Sequence, residues 1–165
     1  GTRTDRTYAI SLQKEEVAIG GDRAKRSLLV FVSPGCSDCG ALAPAISSLW
    51  RSDRRSLDII LIGANGSESD NIKFMKSHKL SEIPYISSTE LAKRFSLHST
   101  PYAFLLDEEG VVITKGIVNN LEHLESIVNA GDTNYPSREA YIQARREELG
   151  KLESTVPMGG NGDGI

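Results

Sequence analysis

Cys36 and Cys39 are the only two cysteines of the 165-residue chain, and Ser37 and Asp38 separate them. The apolar residues 28–32 precede the pair, and the residues after it predict a helix. Cysteines three positions apart lie on one helix face, with about 5 to 6 Å between their Cβ atoms, which approaches disulfide geometry. A strand followed by such a pair at the start of a helix is typical of thiol–disulfide exchange.

The position of the pair predicts a role for each thiol. Unpaired N–H groups and the positive end of the helix dipole stabilise a thiolate, so Cys36 is the predicted nucleophile. Cys39, one turn further along, is predicted to be less exposed and to resolve the mixed disulfide that Cys36 forms with a client. The reversible disulfide between Cys36 and Cys39 is then the redox group, and we expect no separate cofactor.

Two other uses of the cysteines stay open. A structural disulfide would restrain the unfolded chain little, because its stabilisation grows with the length of the closed loop. A metal site would need further ligands, and the candidates His78, His98 and His123 repeat no metal-ligand spacing. We expect no resident metal, but a binding protein that carries copper or zinc to a client is the alternative from another functional class.

Thr100 and Pro101 form a second candidate site, immediately before the predicted strand 102–106. A trans proline fits poorly inside a sheet, whereas an X–Pro bond adopts the cis form at a cost of about 0.5 to 1 kcal/mol. We predict a cis bond that leaves the backbone of Thr100 free to bind an extended client segment. The alternative is a trans proline at the junction of a loop and a strand.

Composition limits the classes of function. With 39% hydrophobic and 25% charged residues, the chain has the composition of a soluble globular protein. A net charge of −3 argues against nucleic acid as a partner, and no window of about 20 apolar residues could span a bilayer. Because the chain starts with Gly1 instead of Met, we expect any attachment to a membrane to come from an anchor that is missing from this chain.

The elements that must position these residues alternate between strand and helix, which predicts an α/β fold. Strands are expected as a hairpin at 8–12 and 17–19, as buried parallel strands at 28–32 and 57–62, at 83–87, and as a hairpin at 102–106 and 111–115. Helices are expected at 36–50, 67–78, 88–95 and 120–130, with a kink at Pro44. Ser87 with Glu90 and Asn119 with Glu122 are the predicted capping pairs of the last two helices.

Four regions follow from these patterns. Residues 1–7 are predicted to be a disordered N-terminus, and residues 8–131 a single redox domain. Residues 132–153 are predicted to include a C-terminal helix, because they have high helix propensity and a thin apolar stripe of Ile142, Leu149 and Leu152. The glycine-rich residues 154–165 are predicted to be a disordered tail.

These features together resemble the thioredoxin superfamily. The cysteine pair follows a buried strand, Pro44 lies five residues after the second cysteine, and Thr100-Pro101 falls where that superfamily places its cis proline. The resemblance implies a thioredoxin-like fold, with a central mixed sheet flanked by helices, and a thiol–disulfide oxidoreductase activity. It also implies that Pro34 and Pro44 are structural residues near the site.

Two groups within the superfamily are similar to parts of the chain. Residues 101–110 resemble the TlpA and ResA group, which implies a reductase of apocytochrome c thiols. Residues 31–36 and 115–126 resemble the MauD family of methylamine-utilisation proteins, which implies a periplasmic, membrane-anchored protein that matures the small subunit of methylamine dehydrogenase. Both imply a cysteine-containing client and a redox partner that reoxidises or re-reduces the pair. Oxidation, reduction and isomerisation of disulfides all stay open, because they share one site and differ in redox poise.

One further residue and one departure bear on the chemistry. Residues 65–69 resemble a segment of ResA-like reductases, and this implies that Glu68 assists proton transfer; the alternative is a surface glutamate in the first turn of a helix. Ser37-Asp38 stands where related proteins usually have a proline between the cysteines. The negative charge of Asp38 opposes a thiolate at Cys36, which argues against a strongly oxidising protein.

Overall fold

The computed structural model describes residues 2–133 and 142–148. Along this part of the chain the elements are β1 (Thr7–Ile10), β2 (Glu16–Ile19), β3 (Arg26–Val32), α1 (Ser37–Asp53), β4 (Leu57–Gly63), α2 (Glu68–Ser77), β5 (Tyr85–Ser87), α3 (Thr89–Arg94), β6 (Tyr102–Leu106), β7 (Val112–Ile117) and α4 (Leu121–Thr133). Residues 142–148 are also helical. The predicted α/β fold is confirmed.

Five strands form one mixed sheet in the order β5-β4-β3-β6-β7. The central strand β3 runs parallel to β4 and antiparallel to β6, and β1 and β2 form a separate antiparallel pair. The carboxyl end of β3 is therefore flanked by the end of β4 on one side and by the start of β6 on the other. The candidate site is built from these three segments.

The central strand is buried on both faces, which explains its uninterrupted apolar sequence. Leu28, Val30 and Val32 pack with α1 and α4 on one face, whereas Leu29 and Phe31 pack with the β1–β2 hairpin and α3 on the other. Each of these five side chains is at most 1% exposed. Burial of such a side chain contributes about 1.5 to 3 kcal/mol, so the strand that leads to the cysteines is firmly held.

Two helix starts lie one residue later than their predicted caps. The hydroxyl of Ser88, not of Ser87, accepts the capping hydrogen bond of α3. At the start of α4, Asn120 and not Asn119 accepts the hydrogen bond of the third N–H that follows it. In both places two neighbouring residues are able to cap a helix, and the sequence alone does not distinguish between them.

Residues 2–6 lie against the domain, which corrects the prediction of a disordered N-terminus at 1–7. Arg3 forms an antiparallel bridge with Val111, and the Thr4 N–H donates to the Gly110 carbonyl at 2.7 Å. The backbone at the beginning of β7 offers hydrogen-bonding groups at the sheet edge, and an extended polar segment can satisfy them without any apolar side chain. Such pairing leaves no pattern in the sequence.

The C-terminal prediction is only partly covered by the structure. The helical residues 142–148 fall inside the predicted helical region 132–153, while α4 itself runs to Thr133. The rest of that region and the predicted tail at 154–165 lie outside the described residues. Within the described ranges, no helix has both the length and the apolar character needed to cross a membrane.

Gly63, at the end of β4, provides a test of this packing. A Cβ at this position would lie 2.1 Å from Oδ1 of Asn71, which is fully buried and accepts a 2.8 Å hydrogen bond from the Tyr85 hydroxyl. Because the amide cannot move without breaking that bond, we expect Gly63→Ala to lower the free energy of unfolding by about 2 to 3 kcal/mol in urea titrations. Gly35→Ala is the matched control, since its Cβ would meet nothing within 4 Å. Equal stabilities of the two variants would contradict the expected clash.

Candidate active site

Cys36 is the N-cap of α1, so the helix begins one residue later than predicted. Its backbone is extended, and its Sγ accepts a hydrogen bond from the Cys39 N–H at 3.2 Å. The sulfur thus satisfies one of the unpaired N–H groups at the positive end of the helix dipole. Cys36 is partly exposed and Cys39 is fully buried, and both are free thiols. The predicted difference in exposure between the two thiols is confirmed.

Cys39 points into the protein beside the end of β3. Its Sγ accepts a hydrogen bond from the Ser33 N–H at 3.4 Å and has further hydrogen bonds with the Cys36 thiol and the Thr100 hydroxyl. Burial, helped by the neighbouring Cys36, raises the pKa of the Cys39 thiol to about 12, although the Ser33 and Thr100 hydrogen bonds act in the opposite direction. Cys39 is therefore a neutral thiol at physiological pH in the dithiol form.

The peptide bond between Thr100 and Pro101 is cis, as predicted. The pairing of β6 with β3 brings this bond to the carboxyl end of β3. There the Thr100 hydroxyl lies 3.1 Å from the Ser33 hydroxyl, and the Thr100 carbonyl accepts a hydrogen bond from the Cys36 thiol with a sulfur–oxygen distance of 3.6 Å. Thr100 therefore contacts both cysteines, one through its carbonyl and the other through its hydroxyl.

Ser33 is the site residue that the sequence did not reveal. It follows the apolar end of β3 and is 5% exposed. A polar residue at the end of a buried strand is a weak signal, and only the structure shows that its N–H faces the Cys39 sulfur. Val30, three residues before Ser33, has an apolar side chain that belongs to the same buried layer as Cys39.

The two prolines predicted to be structural lie on either side of the cysteines. Pro34 contacts the loop before α2, where a Cβ on Gly66 would lie 3.2 Å from the Pro34 ring. Pro44 lies inside α1, which continues past it to Asp53. Proline has no N–H, so the Gly40 carbonyl lacks its usual helical donor. Pro34, through its contact at Gly66, joins the cysteine loop to the loop between β4 and α2.

The structure does not place Glu68 with the cysteines. Glu68 is the first residue of α2, and its Oε1 lies 3.5 Å from Nζ of Lys14, with both side chains more than half exposed. At 3.6 residues per turn it faces away from Asp70, Lys73 and Ser77, which line a groove beside the cysteine loop. The geometry fits a surface glutamate and gives no support to the predicted role in proton transfer.

The three histidines considered as metal ligands are not grouped together. Within residues 2–133 and 142–148, no set of three or more histidine, cysteine, aspartate or glutamate side chains is arranged to hold a metal ion. Nδ1 of His123 accepts the Asn119 N–H at the start of α4, whereas the His78 ring packs at a tilt against Phe74 at the end of α2. The arrangement therefore offers no clustered metal site in this part of the chain.

Comparison with known proteins adds a family to this geometry. Residues 12–131 match the thioredoxin-like domain family. The chain is 34% identical over 131 residues to the methylamine utilization protein MauD of Paracoccus versutus and 35% identical over 132 residues to that of Methylorubrum extorquens. Each alignment covers 79% of this chain, but 65% and 63% of the respective relative. The chain thus spans slightly less than two thirds of these relatives.

Solved structures share the fold at lower sequence identity. StoA from Bacillus subtilis superposes with a TM-score of 0.64 at 21% identity, covering 75% of this chain and 96% of StoA. The thioredoxin domain of a thiol-disulfide oxidoreductase from Bacteroides vulgatus superposes with a TM-score of 0.65 at 20% identity, covering 78% and 97% of the two chains. At this identity the likeness concerns the fold.

The burial of Cys39 predicts a pH dependence of stability. The folded pKa of about 12 exceeds the ordinary value of 9.0, so the folded state keeps a proton that the unfolded state loses between these values. Stability is unaffected below about pH 9 and falls as pH rises through this window. Between pH 8 and pH 10 we expect the reduced protein to lose about 1 kcal/mol more unfolding free energy than Cys39→Ser, which has no thiol to ionise at this position. Urea titrations at both pH values measure this, and equal losses would show that burial does not hold the proton.

Proposed function

This chain belongs to the thioredoxin-like family and has its fold, and from this we propose that it is a protein thiol–disulfide oxidoreductase. The observation that carries the proposal is the asymmetric pair. A partly exposed Cys36 sulfur caps a helix, and a buried Cys39 lies one turn further along with Thr100 in contact with both. The redox group is the reversible Cys36–Cys39 disulfide, which requires no other cofactor.

Client reduction takes place in two exchange steps. The Cys36 thiolate attacks one sulfur of a client disulfide, forming a mixed disulfide and expelling the other client sulfur, which takes up a proton. Cys39 then loses its proton and attacks the Cys36 sulfur, which closes the Cys36–Cys39 disulfide and releases the first client sulfur as a thiol. The client gains two electrons, and a redox partner must reduce the pair again. The reverse sequence inserts a disulfide into a client.

The surroundings of Cys39 determine when it attacks. As a buried thiol it does not compete with Cys36 for the client. The Ser33 N–H and the Thr100 hydroxyl lower the pKa of Cys39 against the effect of burial, so they stabilise the Cys39 thiolate of the second step. Cys39 is therefore the resolving thiol, and Ser33 and Thr100 assist it.

The client backbone binds beside Thr100 and Pro101. β6 begins only at Tyr102, and the Thr100 carbonyl lies 3.6 Å from the Cys36 sulfur. An extended client segment that pairs with the backbone of Thr100, just before β6 begins, brings its own sulfur next to Cys36. Main-chain pairing of this kind tolerates different client sequences.

Similarity to the MauD proteins, whose name assigns them to methylamine utilization, supports a proposal for the client and its location. We propose a cysteine-rich client of that process, the small subunit of methylamine dehydrogenase, in the periplasm or another extracytoplasmic compartment. Reduction of apocytochrome c thiols is the alternative task, and the reduction potential of the pair distinguishes an oxidase from a reductase.

Trapping the mixed disulfide tests the roles of the two cysteines. Reduced Cys39→Ser incubated with insulin, as a disulfide-containing stand-in for the client, is expected to accumulate a covalent adduct because the resolving thiol is absent. Mass spectrometry detects the adduct, which dithiothreitol releases. Cys36→Ser is the matched control and is expected to form none. An adduct with Cys36→Ser alone would reverse the roles, and no adduct with either variant would refute the proposed activity.

The Thr100 hydroxyl and the Glu68 carboxylate are expected to differ in importance. Thr100→Val keeps the side-chain volume but removes the hydrogen bond to Cys39, so we expect the resolving step to slow about tenfold in stopped-flow measurements. Thr100→Ser keeps the hydroxyl and serves as its control.

Glu68→Gln is expected to leave the pH profile of exchange unchanged, because Glu68 faces away from the cysteine loop. A shifted profile for Glu68→Gln would restore its predicted role in proton transfer.

A further inference from the structure

An open groove of about 510 Å³ lies between the cysteine loop and α2. Pro34 and Gly35 form the wall next to Cys36, and Asp70, Lys73 and His78 line the wall on the side of α2. The groove lies on the β4 side of the cysteine loop, whereas Thr100 lies on the β6 side. The side chains of Asp70, Lys73 and His78 have no part in the exchange mechanism described above.

The His78 imidazole lies against the first turn of α1. A Cβ added to Gly40 would lie 2.9 Å from Cε1 and 3.0 Å from Nε2 of His78. The Gly40 N–H donates to the Cys36 carbonyl at 3.3 Å, so Gly40 is the next residue on the helix face of Cys36. The imidazole therefore occupies the space of a side chain at position 40. Side chains on a helix lean toward the N-terminus of that helix, and the N-terminus of α1 is capped by the Cys36 sulfur.

Two contacts hold the ring in this position. The centroids of the His78 and Phe74 rings are 4.6 Å apart, and Phe74 is only 5% exposed. The His78 backbone N–H closes the end of α2 through a 3.1 Å hydrogen bond to the Phe74 carbonyl. His78 is thus a partly buried side chain that packs against a buried ring, and not a free surface side chain.

The groove holds few other charges near the imidazole. Asp70 and Lys73 line it from α2, and the loop residues 34–35 and 65–66 have no titratable side chains. The Asp70 carboxylate accepts a hydrogen bond from the N-cap of α2, about 12 Å along the helix from His78. Asp38 lies two positions after Cys36, and therefore on another face of α1. The residue of α1 that meets the imidazole is Gly40, which lies one turn after Cys36 and has no side chain of its own.

We propose that His78 is a positioning residue that adjusts the reactivity of Cys36 with pH. A protonated imidazole beside Gly40 places a positive charge on the helix face that Cys36 begins and favours the Cys36 thiolate, while the neutral imidazole does not. Imidazoles titrate between about pH 5 and 8, so this contribution is present in mildly acidic solution and absent in alkaline solution. Stabilising the thiolate favours the dithiol and makes the pair more oxidising at low pH.

The test uses Cys39→Ser protein, in which Cys36 is the only thiol, and measures the rate of its alkylation by iodoacetamide from pH 5 to pH 9. His78→Gln is expected to lower the rate about threefold at pH 6 and to leave it unchanged at pH 8.5. His78→Lys keeps a charge throughout and is expected to retain the rate at pH 6 and to exceed the parent at pH 8.5.

Two glycine substitutions form a matched pair in this test. Gly40→Ala leaves His78 in the chain, but the methyl group of the new alanine displaces the imidazole. The alkylation profile of this variant should therefore move toward that of His78→Gln. Gly35→Ala adds a methyl group next to Cys36 in open space and is expected to keep the parent profile. Circular dichroism confirms that each variant is folded.

The proposal is overturned if His78→Gln changes the rate by the same factor at every pH or does not change it. It deepens the proposed function, since it takes Cys36 as the attacking thiol. Alkylation needs no client, so a flat result leaves the insulin adduct and the oxidoreductase proposal standing. If His78→Gln changes the alkylation rate as expected but no insulin adduct forms, the oxidoreductase activity is refuted. The electrostatic coupling between His78 and Cys36 then still stands.

Discussion

The geometry of the cysteine pair depends on the hydrogen bond from the Cys39 N–H to the Cys36 sulfur. A helix needs an acceptor at its N-terminus, and here the acceptor is the sulfur that must become a thiolate for exchange. The same bond sets the spacing of the two cysteines, since the donor belongs to the second of them. Helix start, thiolate stabilisation and disulfide geometry therefore depend on one local conformation, and the doubly buried strand β3 holds it in place.

The two thiols differ because that helix enters the core. Cys36 stays at the surface as a cap, while Cys39, three residues later, lies in the apolar layer with Val30 and Leu42. Burial alone would make Cys39 inert. The Ser33 N–H and the Thr100 hydroxyl compensate in part, and they come from the ends of two antiparallel strands, β3 and β6. Cys39 is thus a neutral thiol beside two hydrogen-bond donors, which suits the resolving role proposed for it.

The strand order separates the functions around the cysteine loop. On the β6 side, Thr100 and the cis bond to Pro101 lie beside Cys36, where we propose that a client binds. On the β4 side, α2 brings its His78 ring to the flank of α1, and the absence of a side chain at Gly40 makes room for it. We thus propose that one side of the loop serves recognition and that the other influences charge. Glu68 belongs to neither, because it lies on the far face of α2 with Lys14.

Local patterns were enough to predict the order of the elements and the cysteine pair with its difference in exposure. The cis bond before Pro101 was predicted from proline chemistry together with the presence of that cysteine pair. Apolar periodicity, helix-capping residues and proline chemistry all act over a few neighbouring residues, so a single sequence contains them. The partners of Cys39, the contact of His78 with Gly40, the placement of Glu68 and the pairing of residues 2–6 were decided only by the tertiary structure. Each of these joins segments that are distant in the chain or depends on which face of a helix meets a neighbour, and no local pattern encodes either.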